Sequence, residues 1–250
     1  MKIEIAVSCS WFQRRLCWMM SSVLQQKGDV PEIIFNVAYP KNNGNPTTEE
    51  VCEFFKNKGL NVKETVYNTE KDMQRRGLVR NKQLENTVAD WILFADTDMV
   101  YHSLFFENIK KQLETTYKDE TKCLAARRIS LAKQHSKDFF NKLDKNKYPC
   151  VIEKPDDIVK EWPVFRRTYA TGAGYFQLAN VKNIKENHNG LYVNPRRCRD
   201  KPEVDAYHKT RSDRQFRRLL GGVVKMKTLP QYHLNHERDN EVKKHLNIQR

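Results

Sequence analysis

Two aspartates, Asp96 and Asp98, follow an apolar run over residues 91–95 and have the spacing to bind a divalent metal ion. The run is too short for a helix of its own and is typical of a strand buried on both faces. Residues two apart on an extended backbone point to the same side, so the two carboxylates are predicted to converge at the end of this strand. Such hard oxygen ligands favour Mg²⁺ or Mn²⁺, which also bind substrate phosphates. An alternative is a pair of solvated turn residues.

The residues before this strand must build the sheet that positions the two acids. The apolar spacing predicts strands and helices in turn, and these are a strand over 3–8, a helix over 13–27, a strand over 32–38, a helix over 50–58, a strand over 60–66 and a helix over 78–89. Such repeats predict an α/β fold with a doubly wound, mostly parallel central sheet and helices on both faces. Ligands bind such sheets at the carboxyl ends of strands, where the acid pair lies.

The pattern is less regular beyond residue 98. It predicts a helix over 104–117, a strand over 122–129, a charged insertion over 133–162, a glycine-containing segment over 169–179, a helix over 213–220 and a last strand over 223–229. A chain of 250 residues can bury a full core. One α/β domain over residues 1–250 is therefore favoured over two.

Composition limits the class of protein. The sequence is 39% apolar and 30% charged, and no run approaches the ~18 apolar residues of a membrane span. It opens on a strand pattern, without the charged-then-apolar order of a signal peptide. The six cysteines form no CxxC pair, so neither a zinc knuckle nor a disulfide framework is indicated. We expect a cytoplasmic protein with free thiols.

The positive charge lies in one half of the sequence. Residues 1–125 contain 17 basic and 17 acidic residues, so residues 126–250 carry the whole net charge of +14. Such asymmetry predicts an anionic partner for the second half. The alternative is a basic surface that only maintains solubility.

Several motifs together resemble those of a known enzyme family. Arg76-Gly-Leu-Val-Arg80-Asn81 precedes a strand that ends in Asp96-Thr-Asp98, and a glycine-containing strand, an acid at a helix start and a late histidine follow. This order, over residues 3–236, resembles family 2 and related GT-A glycosyltransferases. The resemblance implies a GT-A fold with a nucleotide-sugar-binding half over 1–100 and an acceptor-binding half over 101–250. It also implies metal-dependent, inverting transfer of a sugar from a nucleotide-diphosphate sugar to an acceptor hydroxyl.

The resemblance assigns roles to individual residues. Asp96 would lie near the ribose and the metal, Asp98 would bind the metal, and the Arg80-Asn81 pair would help hold the donor. Asp213 would be the general base, although an acid in the first turn of a helix is also commonly present only because the helix dipole favours it. The remaining assignments are Trp11 for stacking on the nucleotide base, His236 in preference to His233 as a metal ligand, and Gly172, Ala173, Gly174 and Tyr175 for the sugar and acceptor pocket.

One departure concerns the nucleotide. In the family, the second strand usually ends in an acid that recognises the base, whereas the end of this strand, Phe35-Asn-Val-Ala-Tyr39-Pro40, contains no carboxylate. Asn36 or Tyr39 is predicted to replace that acid by hydrogen bonding, and a UDP-sugar is the default donor.

The acceptor is predicted from the basic half. Arginine suits phosphate through its forked donors, and a polyanion-binding surface is predicted from Arg196, Arg197, Arg199, Arg214, Arg217 and Arg218. Related phage enzymes modify DNA, so a hydroxymethylated pyrimidine, flipped out of the duplex, is the predicted acceptor. An alternative is synthesis of cell-surface or lipid-linked glycans on anionic membranes. A further alternative is a non-catalytic nucleic-acid-binding protein with a transferase-like fold.

Overall fold

A computed structural model describes residues 1–41, 43–73, 75–131, 147–155, 157, 164–169, 175–197, 212–229 and 231–234. Several predicted site residues lie outside these ranges, namely Gly172, Ala173, Gly174, Arg199 and His236.

The described elements alternate between strands and helices over the first hundred residues. They are, in chain order, β1 (Lys2–Ser8), α1 (Gln13–Leu24), β2 (Glu32–Pro40), α2 (Thr48–Asn57), β3 (Asn61–Tyr67), α3 (Glu70–Met73), α4 (Arg76–Glu85), β4 (Trp91–Ala95), β5 (Met99–Tyr101), α5 (Phe105–Glu114), β6 (Cys123–Ala125), β7 (Arg127–Leu131), β8 (Val164–Tyr169), β9 (Phe176–Asn180), α6 (Val181–Asn187), α7 (Ser212–Leu219), β10 (Val223–Lys225) and β11 (Gln231–His233).

The central sheet has seven strands in the order β10-β6-β9-β4-β1-β2-β3. Strands β1, β2, β3 and β4 pair in parallel, as do β10 and β6, whereas β9 runs antiparallel to both β4 and β6. The predicted α/β fold with a mostly parallel sheet is therefore confirmed. Because β1, β2 and β4 are parallel, their carboxyl ends lie at one edge of the sheet.

Strand β4 lies at the centre of the core. All five of its residues are buried, and alternate side chains enter different apolar clusters because strand side chains alternate between faces. Leu93 packs with Ile5 and Phe35 in one cluster, whereas Ile92 and Phe94 belong to the cluster on the other face. A continuous apolar run is thus what a strand covered on both sides requires.

A second sheet differs from the sequence prediction. The segment 122–129 was predicted as one strand, but it forms β6 in the central sheet and β7 in a four-stranded sheet of order β5-β11-β7-β8. The predicted last strand over 223–229 ends at Lys225, and β11 follows it. Strand β11 pairs antiparallel with β5, which brings His233 opposite Met99. The second sheet therefore carries a late histidine to the residue that follows Asp98.

No helix in the described part of the chain is both long enough and apolar enough to cross a membrane.

Candidate active site

The two acids that follow β4 lie close together, but not for the predicted reason. The strand ends at Ala95 and the chain turns at residues 97–98 before β5, so the backbone between the acids is not extended. Burial, and then the neighbouring negative charge of Asp98, raise the pKa of Asp96. The turn has therefore brought both carboxylates within electrostatic reach of each other.

Asp98 contacts a histidine from the second sheet. The Nε2 atom of His233 lies 3.2 Å from Asp98 Oδ2, and the two side chains are 16% and 10% exposed. The backbone N–H of Leu234 donates to the carbonyl oxygen of Asp98 over 2.9 Å, which fixes the end of β11 against the acid pair. His236, the preferred metal ligand in the sequence prediction, lies outside the described residues, so His233 is the described histidine that reaches the acids.

Asp213 lies in the first turn of α7 and is tied to the body of the protein through one carboxylate oxygen. Its Oδ1 accepts a hydrogen bond from the Tyr192 hydroxyl over 2.7 Å and pairs with the guanidinium of Arg80. Burial opposes ionisation of this carboxyl, but Arg80, Tyr192 and Arg76 together outweigh it and lower its pKa. Asp213 is therefore ionised at neutral pH.

Arg80, which was predicted to help hold the donor, lies among buried groups of the protein. Its side chain is buried, and the guanidinium contacts Asp213, the Tyr192 hydroxyl and the Oε1 atom of Gln177 at 3.3 Å. It also lies 5.5 Å from the ring centre of Phe94. Burial disfavours the charged form, but Tyr192, Asp213 and Asp96 raise the pKa of Arg80 above its ordinary value. These contacts direct the charge of Arg80 to Asp213. Donor binding by Arg80 stays a prediction.

The side chain of Asn81 is hydrogen-bonded to the backbone of residues 192–193. Its Oδ1 accepts hydrogen bonds from the backbone N–H groups of Tyr192 and Val193 over 2.8 and 2.9 Å, and its amide donates to the Val193 carbonyl over 2.9 Å. These three bonds use most of the side chain's hydrogen-bonding capacity. They hold in place the segment that brings Tyr192 to Asp213, and a donor contact by Asn81 stays a prediction.

The two residues predicted to recognise the base are engaged with the protein. Asn36 is buried, donates to Glu4 over 2.8 Å and accepts from Thr65 over 3.2 Å. Tyr39 is buried and donates its hydroxyl proton to Glu64. Recognition of a base by either side chain would require these hydrogen bonds to be exchanged, and it stays a prediction.

The predicted aromatic residues occupy two different settings. Trp11 lies in the turn between β1 and α1 with φ of 66°, a left-handed conformation that is uncommon for a residue with a side chain. Such strain is often retained at functional sites, and stacking of Trp11 on a nucleotide base stays a prediction. Tyr175 is buried directly before β9, and the guanidinium carbon of Arg128 lies 4.1 Å from its ring centre.

The predicted polyanion-binding arginines include three described, exposed side chains. Arg214 and Arg218 lie on α7, the helix that has Asp213 in its first turn. Arg196 lies in the 3₁₀ turn Pro195–Arg197. Arg217 is half-buried, and its Nε donates to the Asp213 carbonyl over 3.1 Å. This arginine is therefore part of the support of Asp213.

Tyr192 and Gln177 belong to the site but were not predicted from the sequence, and Arg76 was identified only as part of the motif that contains Arg80. Gln177 lies between the apolar residues Phe176 and Leu178 of β9 and is fully buried, a pattern that could have marked it as a member of a polar network. Tyr192 lies outside the helices and strands and carries no such signal.

Comparison with known proteins identifies the fold. No protein-family model and no curated protein matches the sequence. The chain is similar to the crystal structure of S. aureus TarS 1-349 in complex with UDP-GlcNAc, with a TM-score of 0.58 and 13% identity over 96% of this chain and 59% of that one. It is similar to the mannosyltransferase PcManGT from Pyrobaculum calidifontis in complex with GDP-Man and Mn²⁺, with a TM-score of 0.55 and 11% identity over 96% of this chain and 59% of that one. For GalNAc-T7 with UDP, GalNAc and Mn²⁺, the TM-score is 0.55 and the identity is 13% over 95% of this chain and 44% of the other.

The chain thus spans less than two thirds of the length of each of these structures. Sequence identities of 11–14% establish likeness of fold only. The protein has the GT-A glycosyltransferase fold.

Proposed function

We propose that the protein transfers a sugar from a nucleotide-diphosphate sugar to an acceptor hydroxyl. The observation that carries the proposal is the ion pair between Asp213 and the buried Arg80, because the charges of both residues also act on Asp96. The fold thus brings a third acid towards the pair after β4. Asp213 belongs to a helix more than one hundred residues away in the sequence. Transfer requires both an anchor for the diphosphate and a base for the acceptor, and these acids supply candidates for both.

Asp96 and Asp98 are suited to hold Mn²⁺ or Mg²⁺. Two carboxylates that raise each other's energy are stabilised by a divalent cation, and the imidazole of His233 beside Asp98 is compatible with Mn²⁺. Within the described ranges, no group of three His, Cys, Asp or Glu side chains is arranged to hold a metal ion. The acid pair therefore fits an ion that takes its other ligands from the donor's phosphates and from water. When bound, such an ion would neutralise charge on the leaving nucleoside diphosphate.

Asp213 is proposed as the general base. It is ionised at neutral pH, its side chain is 23% exposed, and it begins a helix whose position is fixed by buried contacts. A carboxylate in that state can accept the proton of an acceptor hydroxyl as the hydroxyl oxygen attacks the sugar. The stereochemical outcome proposed is inversion, since one base acting on the acceptor suffices for a single displacement.

The donor is proposed to be a UDP-sugar by default. Similar structures contain UDP-GlcNAc in one case and GDP-Man in another, so the fold accommodates both bases. The panel of donors tested should therefore include UDP-, GDP- and dTDP-sugars.

Donor binding can be tested by thermal stabilisation with Mn²⁺ and each nucleotide sugar. A donor at one hundred times its Kd should stabilise the protein by about 2.7 kcal/mol. Asp98→Asn should lose this effect, whereas Asp119→Asn, which alters an exposed acid, should keep it. Stabilisation of the Asp98→Asn variant equal to that of the unmodified protein would exclude the metal and donor site proposed.

A polyanion, with DNA as the specific candidate, is proposed as the acceptor. Support comes from the net charge of +14 in residues 126–250 and from the exposed Arg214 and Arg218 on the helix of Asp213. Binding to a phosphate backbone would release counterions, so log K should fall with log salt by about 0.9 per phosphate contact. A hydroxymethylated pyrimidine would then enter the site beside Asp213 after being flipped out.

The acceptor is tested by binding and by transfer of labelled sugar. Arg214→Ala/Arg218→Ala should weaken DNA binding and reduce the salt slope by about 2, whereas the charge-matched control Lys111→Ala/Lys118→Ala should change neither. Label should enter hydroxymethylated DNA and not plain DNA. Label in a glycan or lipid acceptor alone would replace the DNA proposal by the glycan-synthesis alternative. DNA binding without turnover of any donor would favour the non-catalytic alternative.

A further inference from the structure

The two carboxylate oxygens of Asp213 have different surroundings. Oδ1 receives hydrogen bonds from Tyr192 and Arg80. The backbone carbonyl of Asp213 is also held, by Gln177 Nε2 and Arg217 Nε, each at 3.1 Å. No hydrogen bond from the described residues reaches Oδ2, and the side chain is 23% exposed. Among the described residues, one carboxylate oxygen is thus anchored by two donors and the other by none.

Tyr192 is held rigidly enough to act as that anchor. Its ring stacks on Phe216 with a centroid distance of 4.2 Å and meets Phe94 edge-on at 4.7 Å. Its backbone N–H donates to Asn81 over 2.8 Å. Both the ring and the main chain are therefore fixed, and the hydroxyl has one defined position.

The hydroxyl of Tyr192 has two acceptors for one proton. It lies 2.5 Å from Gln177 Oε1 and 2.7 Å from Asp213 Oδ1. A tyrosine hydroxyl can donate only one hydrogen bond at a time. Gln177 therefore competes with Asp213 for that proton and controls how strongly Tyr192 stabilises the ionised carboxylate.

We infer that Tyr192 and Gln177 are positioning residues that fix Asp213 Oδ1 against Arg80 and leave Oδ2 to accept the proton of the acceptor hydroxyl. The inference rests on the proposed function. In the transfer step, the hydroxyl proton passes to Oδ2 as the acceptor oxygen bonds to the anomeric carbon. The bond from that carbon to the phosphate oxygen breaks, and its electron pair leaves with the nucleoside diphosphate.

Other charged or titratable groups also face this carboxylate. The described groups are Arg76 and Arg80 of α4, Asp96 after β4, Cys123 of β6, Arg217 of α7, and Tyr192 in the segment before the 3₁₀ turn. Tyr192 and Gln177 are both neutral. Replacing either one alters the hydrogen bond to Asp213, and so the pKa of Asp213, without changing the net charge of the site. Variants of these two residues therefore change that hydrogen bond in opposite directions without changing the charge of the site.

The experiment compares Tyr192→Phe with Gln177→Leu. Tyr192→Phe keeps the ring on Phe216 and removes the hydrogen bond to Oδ1, so the pKa of Asp213 should rise. Gln177→Leu removes the competing acceptor, so the Tyr192 proton passes wholly to Oδ1 and the pKa of Asp213 should fall. Titration of ¹³C-labelled aspartate carboxyls by NMR measures both shifts without donor or acceptor, with Asp213→Asn identifying the resonance.

Turnover supplies the second readout. The acidic limb of the kcat profile should move to higher pH in Tyr192→Phe and to lower pH in Gln177→Leu. The control is Tyr117→Phe. It removes a hydroxyl that follows α5 and donates a long hydrogen bond of 3.5 Å to the Lys225 carbonyl, and it should leave the acidic limb unchanged.

The outcomes separate positioning from a structural role. Shifts of opposite sign in the two variants support the inference. Equal loss of thermal stability with no movement of the Asp213 pKa, or shifts of the same sign, overturns it. If Tyr192→Phe fails to fold, the downward shift in Gln177→Leu is the deciding result. If no donor is turned over, the proposed function fails, whereas the NMR shifts still decide whether Tyr192 and Gln177 tune this carboxylate.

Discussion

Replacing Arg80 with methionine keeps a long, flexible side chain and removes the guanidinium on which the buried network depends. The guanidinium is hydrogen-bonded to Asp213, Tyr192 and Gln177, and the Arg80 side chain is only 6% exposed. Arg80→Met therefore leaves a carboxylate, a hydroxyl and an amide oxygen without their shared donor. The substitution should destabilise the fold strongly.

The magnitude follows from the burial of the two partners. Removing one member of a buried ion pair costs about 3–5 kcal/mol. Asp213 is 23% exposed, so water can partly solvate the carboxylate that is left behind, and the lower end of this range applies. We expect a loss of about 3 kcal/mol, which in a chain of this size lowers Tm by roughly 6–12 °C.

The assay is urea unfolding at pH 7 with a control from the same helix. Lys82→Met removes a cation from α4 whose ion pair with Glu85 is exposed at both ends, with 55% and 63% of the side chains accessible. That change should cost less than about 0.5 kcal/mol. Equal losses in Arg80→Met and Lys82→Met would refute the claim that Arg80 holds a buried network together.

The same difference should depend on pH. The folded pKa of Asp213 lies below its ordinary value of 3.8, so the stabilisation from its ion pair is complete above that value and is lost as the pH falls through the folded pKa. The gap in unfolding free energy between the unmodified protein and Arg80→Met should therefore be largest near neutral pH and should shrink as the solution is acidified. A gap that grows on acidification would contradict the direction of the shift.

Three other substitutions test separate features. Asn81→Ala removes three hydrogen bonds to residues 192–193 and should lower the free energy of unfolding, measured in urea, by about 2–3 kcal/mol. An unchanged stability with a raised KM for the donor would show that Asn81 acts on the donor instead. Asp98→Asn should abolish transfer while the circular dichroism spectrum stays unchanged, and full turnover in this variant or in excess chelator would exclude metal binding at Asp98. Thr47→Ala removes the capping box that Thr47 forms with Glu50 at the start of α2. The free energy of unfolding should fall by about 1 kcal/mol with no effect on donor binding, and an unchanged urea midpoint would show that the box is not stabilising.

Local patterns in the sequence predicted the frame of the fold. The apolar run 91–95 identified β4 because a strand covered on both faces needs no polar alternation. The change from one sheet to the other between Ala125 and Arg127 could not be predicted, because the segment 122–126 contains no glycine, proline or other turn residue. Helix α6 was missed although Asn180 caps it, accepting from the Asn183 N–H over 3.0 Å. A single cap followed by only seven helical residues is a weak signal.

The candidate site was predictable only where its residues are neighbours in the sequence. Asp96 and Asp98 are two residues apart, whereas Arg80 and Asp213 are separated by 133 positions and meet through packing of α4 and α7 against the central sheet. No periodicity encodes a pairing across that distance. The resemblance to a family supplied Asp213 as the base, but the partners that fix its charge follow from the fold alone.

Release of nucleoside diphosphate is the reaction that the three acids, Asp96, Asp98 and Asp213, are proposed to bring about, and it can be measured without knowledge of the acceptor. The protein should release diphosphate from at least one nucleotide sugar of the panel in the presence of Mn²⁺, slowly to water and faster with an acceptor. Asp213→Asn should bind that donor with unchanged affinity and lose turnover by about 10²-fold or more. Undiminished release by Asp213→Asn, or no release from any donor by the unmodified protein, would contradict the account.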